Sequence, residues 1–172
     1  MMSIEQVSAP QVESLIESDL IPLLCNVVED GASIGFLAPL SSADARSYWQ
    51  GVLAPLRTGE KVMFVASIDG RVVGAVQLAL EPRANGRHRA EVQKLMVHTA
   101  ARNHGLGRRL MEAVEQAARN DQRTLIVLDT RRGDIADGLY QRMGYVQAGV
   151  IPRYAISSSG ELDDTVFYYR EL

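Results

Sequence analysis

Cysteine is almost missing from this sequence, whose 172 residues include only Cys25. One thiol cannot form an internal disulfide, which excludes the small secreted domains that disulfides hold together and fits a reducing compartment. Cys25 stands among apolar residues at helical spacing, where a small thiol is usually an ordinary core residue. We therefore assign it no chemical role.

Long hydrophobic runs are missing too. No apolar stretch approaches the roughly 18 residues that indicate a membrane helix. The N-terminus also lacks the basic-then-apolar order of a signal peptide. We therefore expect a cytoplasmic protein without a membrane partner. Internal repeats, low-complexity tracts and linkers are absent as well, so residues 1–172 are expected to form one domain.

An excess of positive charge is the third absence. The formal net charge is −3 at pH 7 and the isoelectric point is about 5.6, which argues against a nucleic-acid partner held by bulk charge. Hydrophobic residues make up 47% of the chain and charged residues 23%, which is typical of a globular protein with a substantial core.

Several sequence signatures of catalysis and cofactor binding are also lacking. A dinucleotide-binding G-x-G-x-x-G fails because Leu110 occupies the third glycine position, and no Gly-Lys-Ser/Thr ending marks a P-loop. No G-x-S-x-G elbow indicates a covalent nucleophile. His88, His98 and His104 lack the spacing of a zinc site, so no metal is predicted.

What the sequence does contain is a glycine turn between an apolar run and an amphipathic segment. The turn is Arg102-Asn103-His104-Gly105-Leu106-Gly107, the run before it is Leu95-Met96-Val97, and the segment after it is Arg108 to Asn120. A helix N-terminus leaves backbone N–H groups unpartnered, and glycines let a phosphate approach them closely. The order predicts a site for a phosphorylated cofactor, and the alternative is a plain strand-to-helix turn.

Periodicity predicts a mixed α/β fold in the order β-αα-βββ-α-β-α-ββ. The predicted strands are 4–7, 61–68, 71–80, 89–98, 123–129, 145–150 and 165–170, and the predicted helices follow Ser8 and Ser41 or span 106–120 and 135–143. Pro22 is expected to kink or split the first helix. The strand–helix–strand unit around the glycine turn requires two parallel neighbouring strands within a mixed sheet flanked by helices.

The pattern Arg-x-x-Gly-x-Gly after a strand resembles the pyrophosphate loop of the GNAT N-acetyltransferase superfamily, and the element order matches that fold over essentially the whole chain. Three segments are most similar to the tabtoxin-resistance acetyltransferases of that superfamily: 31–36, 90–97 and 105–108. The segment from Asp134 to Tyr145 resembles the superfamily's Leu-Tyr and Gly-aromatic pattern. One departure is Gly133, where many members carry Asn.

The resemblance implies acetyl-CoA as cosubstrate. The residues expected to bind it are Leu95, Met96, Val97, Arg102, Asn103, His104, Gly105, Leu106, Gly107 and Arg108. Backbone N–H groups of Leu95 to Val97 are expected to meet the oxyanion, and the same strand edge to bind the pantetheine amides as an added strand would.

Transfer from a thioester to an amine needs a base, and two carboxylates are candidates. Glu91 lies on the strand that leads into the glycine turn, where the resemblance implies a base; a solvent-facing strand residue is the alternative. A glutamate serves at neutral pH only if burial or a second carboxylate raises its pKa. Asp129, expected at the end of an apolar strand, is that second carboxylate, although a cap or a partner of Arg131 or Arg132 fits it equally.

Tyr140 is the candidate acid for the departing thiolate, a role that the resemblance implies. Unperturbed phenol and thiol pKa values differ by roughly 1.5 units, so proton transfer would be mildly uphill. The alternative for Tyr140 is an amphipathic core residue.

Two loops are expected to line the acceptor pocket. The loop from Gly31 to Leu37 offers Ser33 and Phe36, and a second loop, 152–160, offers Arg153 and Tyr154. Carboxylates at the floor and an arginine at the rim suit a small zwitterionic amine. Resemblance suggests a toxin such as tabtoxinine-β-lactam. The alternatives are a protein or peptide amine and a non-catalytic acyl-CoA sensor, and the sequence leaves the oligomeric state open, a homodimer included.

Overall fold

The computed structural model describes residues 1–172 and contains a seven-stranded mixed sheet with helices on both faces. The strands are β1 (Met2–Val7), β2 (Lys61–Ile68), β3 (Arg71–Leu80), β4 (Arg89–Val97), β5 (Leu125–Arg131), β6 (Val146–Ile156) and β7 (Leu162–Glu171). The helices are α1 (Ala9–Leu15), α2 (Ile21–Glu29), α3 (Ser42–Thr58), α4 (Leu106–Asn120) and α5 (Ile135–Arg142). None of these helices is both long and apolar enough to cross a membrane.

The strands lie in the order β1-β2-β3-β4-β5-β7-β6. Every neighbouring pair is antiparallel except β4 and β5, which are parallel and are joined by the crossover helix α4. The predicted fold class and element order are therefore confirmed, as is the parallel pair around the glycine turn.

Helix starts follow local side-chain chemistry. The Ser41 hydroxyl accepts a hydrogen bond from the backbone N–H of Asp44 (3.0 Å), which caps α3 as predicted. Between α1 and α2 the helix widens into one π-helical turn, Ile16–Leu20, immediately before the turn that contains Pro22. Proline has no N–H to donate, so the predicted interruption occurs where the hydrogen-bond ladder cannot run unbroken.

The final hairpin is longer than predicted. β6 and β7 extend to Ile156 and back to Leu162, whereas strands at 145–150 and 165–170 were expected. β6 is an edge strand with most of its residues exposed, so it lacks the apolar alternation that marks a half-buried strand. An edge position also tolerates Pro152, which donates no ladder hydrogen bond.

Two hydrophobic cores lie on the two faces of the sheet. Helices α1 to α3 cover one face, where Trp49 is fully buried and its indole N–H donates to the Leu20 carbonyl (2.9 Å). Helices α4 and α5 cover the other face with Leu110, Met111 and Tyr140 among the buried residues. We call the first the acceptor face and the second the α4 face.

The sheet splits open between its two parallel strands. β4 pairs with β5 only over Arg89 to Glu91, opposite Leu125 to Val127, and the strands then diverge. Lys94 has a left-handed backbone (φ 55°), and the β3–β4 register shifts beside it, so β4 bends away from β5. The resulting wedge opens at the carboxyl ends of parallel strands, where open α/β sheets bind ligands.

Candidate active site

The glycine turn at the mouth of the wedge presents a run of free backbone donors. Asn103 and Gly105 are both left-handed (φ 66° and 72°), and α4 begins directly afterwards. The first helical hydrogen bond runs from the Arg109 N–H to the Gly105 carbonyl (3.1 Å), while the six N–H groups of residues 103–108 donate to no acceptor within the protein. Free N–H groups together with the positive end of a helix dipole form an anion site.

Other contacts hold this turn in place. The Arg102 guanidinium donates to the Asp30 carboxylate (2.6 Å) at the end of α2, so this side chain anchors the turn and leaves its backbone to meet a ligand. The Asn26 side chain accepts from the Thr99 N–H (2.9 Å). A Cβ at Gly107 would lie 3.4 Å from Leu139, which explains how α5 packs closely on the start of α4.

The stretch Leu95 to Val97 offers a free strand edge. On one side Met96 and Val97 stand opposite Ala75 and Gly74 of β3, and on the other side β4 has no partner beyond Glu91. Such an edge can hydrogen-bond the amides of an extended ligand as an added strand would.

Glu91 and Asp129 lie on the same face at the base of the wedge. Glu91 stands opposite Val127, and Asp129 follows Val127 by two residues, which returns its side chain to that face. Asp129 is the fifth residue of β5 and not its end, because β7 continues to pair with β5 as far as Arg131. Neither carboxylate forms an ion pair within 4 Å.

The surroundings of Asp129 favour its protonated form. Burial raises the pKa of Asp129 above its usual range, the negative charge of Glu91 raises it further, and the ammonium of Lys94 offsets part of the rise. Part of the Asp129 side chain is exposed, so a ligand can reach it, and its raised pKa makes it a better proton acceptor than an unperturbed aspartate.

Tyr140 projects from α5 toward the same carboxylate. Its side chain is buried, yet its hydroxyl has no hydrogen-bond partner and no buried polar atom of the protein is left unpartnered, so the hydroxyl borders accessible space. Burial raises the pKa of Tyr140, and the charges of Asp129 and Asp134 raise it further. The tyrosine therefore stays protonated, and its pKa lies further above that of a thiol than the unperturbed values suggested.

Lys94 belongs to the site although sequence reasoning gave it no role. Its ammonium lies 5.7 Å from the centre of the Phe36 ring, and a Cβ on Gly35 would be 3.2 Å from its Nζ. Burial lowers the pKa of Lys94, and Asp129 and Glu91 offset only part of that fall. A lone lysine beside a glutamate on a strand also fits a solvent-facing position, so the sequence carried no clear signal.

A cleft of about 330 Å³ opens between the loop 31–37 and the end of the final hairpin. Its lining is Gly31, Ala32, Ser33, Gly35, Phe36, Leu37, Arg131, Ala155, Ile156, Ser157 and Ser158. The Ser158 hydroxyl accepts from the Ala38 N–H (2.9 Å), which joins the two walls. Ser33 and Phe36 both line this cleft, and their contact with an acceptor stays a prediction.

The second predicted loop is partly wrong. Arg153 and Tyr154 lie in a bulge of the edge strand β6, where Arg153 has a left-handed backbone (φ 56°). Tyr154 packs edge-on against Phe167 (5.6 Å between ring centres), which stands opposite Asp129. Neither residue lines the cleft, whose only arginine is Arg131.

A network of polar side chains, each with a hydrogen-bond partner, lies on the acceptor face beneath α3. The Lys61 ammonium donates to the side-chain oxygens of Gln77 (2.9 Å) and Gln93 (3.0 Å), and the Gln77 amide donates to the Tyr48 hydroxyl (2.8 Å). Burial raises the pKa of Tyr48 to about 12. No cluster of three or more His, Cys, Asp and Glu side chains is arranged to hold a metal.

Comparison with known proteins places this site in context. A sequence profile of the acetyltransferase (GNAT) family matches residues 22–145. An uncharacterized N-acetyltransferase from the hisH-hisA intergenic region of Azospirillum brasilense is 34% identical over 131 residues, covering 73% of this chain and 76% of that protein.

Solved structures share the whole fold at low identity. The ribosomal-protein-alanine N-acetyltransferase of Brucella melitensis superposes with a TM-score of 0.78 at 21% identity, covering 99% of both chains. The yncA protein of Salmonella typhimurium, solved with its cofactor acetyl-CoA, superposes with a TM-score of 0.77 at 19% identity, covering 99% of this chain and 94% of that one.

Proposed function

The chain belongs to the acetyltransferase (GNAT) family, whose cosubstrate is acetyl-CoA, and we propose that it acetylates the amine of a small, amino-acid-like acceptor. The observation that carries the proposal is the wedge between β4 and β5. The mouth of this opening carries six free N–H groups, and its base carries an aspartate whose surroundings raise its pKa.

The residues at the wedge fit acetyl-CoA. The free N–H groups of residues 103–108 would hold its pyrophosphate, since they are oriented donors at a helix N-terminus. The unpaired edge Leu95 to Val97 would hold its pantetheine amides and direct an N–H at the thioester carbonyl. Acetyl-CoA, when bound, supplies the acetyl thioester, and side chains of the protein would remove the proton from the amine and stabilise the leaving thiolate.

We assign the base to Asp129 and a supporting role to Glu91. Asp129 would take the proton of the acceptor ammonium, which frees the nitrogen lone pair to form the new C–N bond. Glu91 raises the proton affinity of Asp129 through its negative charge. This division reverses the expectation that Glu91 would be the base and Asp129 its neighbour.

Tyr140 is assigned to the leaving group. Its protonated hydroxyl would donate a hydrogen bond to the sulfur as the C–S bond breaks and hand over the proton as the thiolate departs. The raised pKa makes full proton transfer in advance unfavourable, so the hydroxyl stabilises the developing charge first.

The acceptor class is inferred from the size of the cleft and from the charges of Glu91, Asp129 and Lys94 at the neighbouring wedge. About 330 Å³ suits a small molecule, and the contact between Ser158 and Ala38 joins the walls that an extended peptide would have to separate. We propose an amino-acid-like amine, with detoxification of a compound such as tabtoxinine-β-lactam as one biological setting. The alternative is a protein amine, the acceptor class named for the Brucella relative; a sensor without turnover would not need the charges in the wedge.

Binding of acetyl-CoA is the first requirement of the proposal and can be tested directly. Replacing Gly105 and Gly107 together by valine should remove the rise in melting temperature that acetyl-CoA causes in the wild type. Gly70→Val in the β2–β3 turn is the matched control, because Gly70 is also left-handed (φ 82°) but remote from the wedge. An equal rise in the double variant, or none in the wild type, would refute the proposal.

A further inference from the structure

The chain uses lysine very sparingly. It contains two lysines and sixteen arginines, and both lysines, Lys61 and Lys94, lie half-buried on the acceptor face. An ammonium is a compact, strongly hydrated charge, and burying one is costly unless it is paired. Every other basic side chain that is always charged is an arginine, so the use of lysine at these two positions needs a physical explanation.

The two lysines differ in how they are satisfied. Lys61 donates to the side chains of Gln77 and Gln93. Lys94 has no hydrogen-bond acceptor and no carboxylate within 4 Å, and its ammonium lies beside Gly35 and 5.7 Å from the centre of the Phe36 ring. Its left-handed backbone is strained for a residue with a side chain, and such strain persists where the surrounding structure holds it.

Charges of both signs therefore face the same space without neutralising each other. Asp129 and Glu91 are close enough to Lys94 to affect its ionisation, yet neither touches it. Separated, partly desolvated charges are stabilised by a ligand that carries the opposite charges at the same spacing. An amine that also bears a carboxylate has that pattern.

We propose that the Lys94 ammonium binds the carboxylate of the acceptor while Asp129 and Glu91 face its amine. This assignment rests on the proposed function and identifies the group that selects zwitterions within it. Lys94 is then a specificity-determining residue, and it takes no part in moving protons.

The two arginines near the cleft are less suitable for this task. The Arg131 guanidinium already forms ion pairs with Asp134 (3.2 Å) and Asp163 (3.5 Å), so its charge is largely neutralised within the protein. Neither Arg153, in the exposed bulge of β6, nor Lys94 lines the cleft, but the Lys94 ammonium approaches two residues that do, Gly35 and Phe36. Lys94 is left as the unpaired cation beside the carboxylates.

Paired acceptors test the assignment directly. A panel of α-amino acids, each with its carboxamide, is assayed for acetyl transfer by thiol release. The wild type should favour the carboxylate over the carboxamide by about tenfold to 10²-fold in kcat/KM, the range of one charge-assisted contact. Lys94→Met should bring that ratio close to one, mainly through KM, and Lys94→Arg should keep part of it.

Lys61→Met is the matched control, because it removes the other buried ammonium but should change both members of a pair equally. The preference is a ratio within one protein, so a general loss of structure would not move it. The assignment is overturned if the wild type shows no preference, if Lys94→Met keeps it, or if acetyl-CoA binds but no amino acid is acetylated. Failure of acetyl-CoA to bind would instead overturn the proposed function.

Discussion

Two aspartates near the wedge, Asp129 and Asp137, meet opposite environments. The Asp137 carboxylate accepts hydrogen bonds from the Gly133 N–H (2.7 Å), the Gln141 amide (3.1 Å) and the Tyr168 hydroxyl. Burial alone would raise the pKa of Asp137, but these hydrogen bonds outweigh it and lower that pKa. Asp129 has no such donors, and its pKa is raised.

A similar contrast separates a buried glutamate on the α4 face from the charges at the wedge. On the α4 face, buried Glu115 accepts from the Tyr145 hydroxyl and the Arg170 guanidinium, both at 3.0 Å. On the acceptor face, Glu91, Asp129 and Lys94 leave their charges unpaired. Because an unpaired charge that is partly desolvated, as those of Asp129 and Lys94 are, costs stability, its presence indicates a task other than holding the fold. The following changes test whether stability and activity separate along this line.

The largest effect is expected from Asp129→Asn. The change keeps the shape of the side chain and removes the proton acceptor, so kcat should fall by about 10² to 10⁴-fold, the range of a general base. The melting temperature should stay the same or rise, because the change removes a carboxylate that has no partner in the fold and whose pKa is raised there. Steady-state kinetics and thermal unfolding of the variant measure both.

Glu13→Gln serves as its control, since Glu13 forms an exposed ion pair with Arg57 far from the wedge. A water chain or Glu91 could substitute for Asp129, in which case only the combined Glu91→Gln and Asp129→Asn change is severe. Wild-type turnover in that double variant would rule out a carboxylate mechanism.

Asp137→Ala should show the reverse pattern. It leaves the buried Tyr168 hydroxyl and two more exposed donors without their acceptor, so the free energy of unfolding should fall by about 1–3 kcal/mol while turnover per folded molecule stays within a few-fold. Since the pKa of Asp137 is lowered in the fold, its contribution is present above its ordinary pKa of 3.8 and is lost as the pH falls through the lowered value. Urea unfolding at neutral and acid pH measures the difference, and a catalytic loss without destabilisation would contradict the comparison.

Much of the fold can be predicted from local sequence patterns. The strands 61–68 and 71–80 and the helix 106–120 match the structure to the residue, because Asp69-Gly70 marks a hairpin and the glycine turn marks a helix start. Asp129 was expected to end its strand because it directly follows the apolar run Leu125 to Leu128. Pairing with β7, a contact distant in sequence, extends β5 past it.

The positions of the positive charges at the site could not be predicted from the sequence. Lys94 reaches Phe36 only because β4 bulges at a non-glycine residue, and no local signal announces that conformation. Arg131 meets the loop 31–37 only through the tertiary fold. Local patterns therefore indicate the candidate carboxylates and the anion turn, whereas the unpaired ammonium and the cleft arginine depend on contacts between distant segments.

A smaller effect is expected from Tyr140→Phe. The hydroxyl makes no hydrogen bond in the protein, so its removal should leave stability nearly unchanged and lower kcat by about tenfold through loss of the donor to sulfur. Tyr145→Phe is the matched control, because that hydroxyl donates to Glu115 and should matter for stability instead. Equal kinetics of wild type and Tyr140→Phe would assign Tyr140 to the core alone.

The smallest effect is a displacement of the pH profile, and it distinguishes the neighbours of Asp129. If Asp129 is the base, kcat/KM rises with pH as its carboxyl loses the proton, at a midpoint above the ordinary 3.8. Glu91 raises the pKa of Asp129, so Glu91→Gln should move that midpoint to lower pH. Lys94 lowers it, so Lys94→Met should move the midpoint to higher pH.

Titration of the acceptor amine is common to all variants and cancels when their profiles are compared for one acceptor. Arg153→Ala should leave the midpoint in place, because Arg153 is not among the charges that act on Asp129. Shifts in opposite directions therefore identify Asp129 as the titrating group with Glu91 and Lys94 on either side of it. If the midpoints of the variants coincide, or move in the same direction, the rise of kcat/KM with pH belongs to the titration of another group. The electrostatic argument for the acceptor face as the functional one would then be lost.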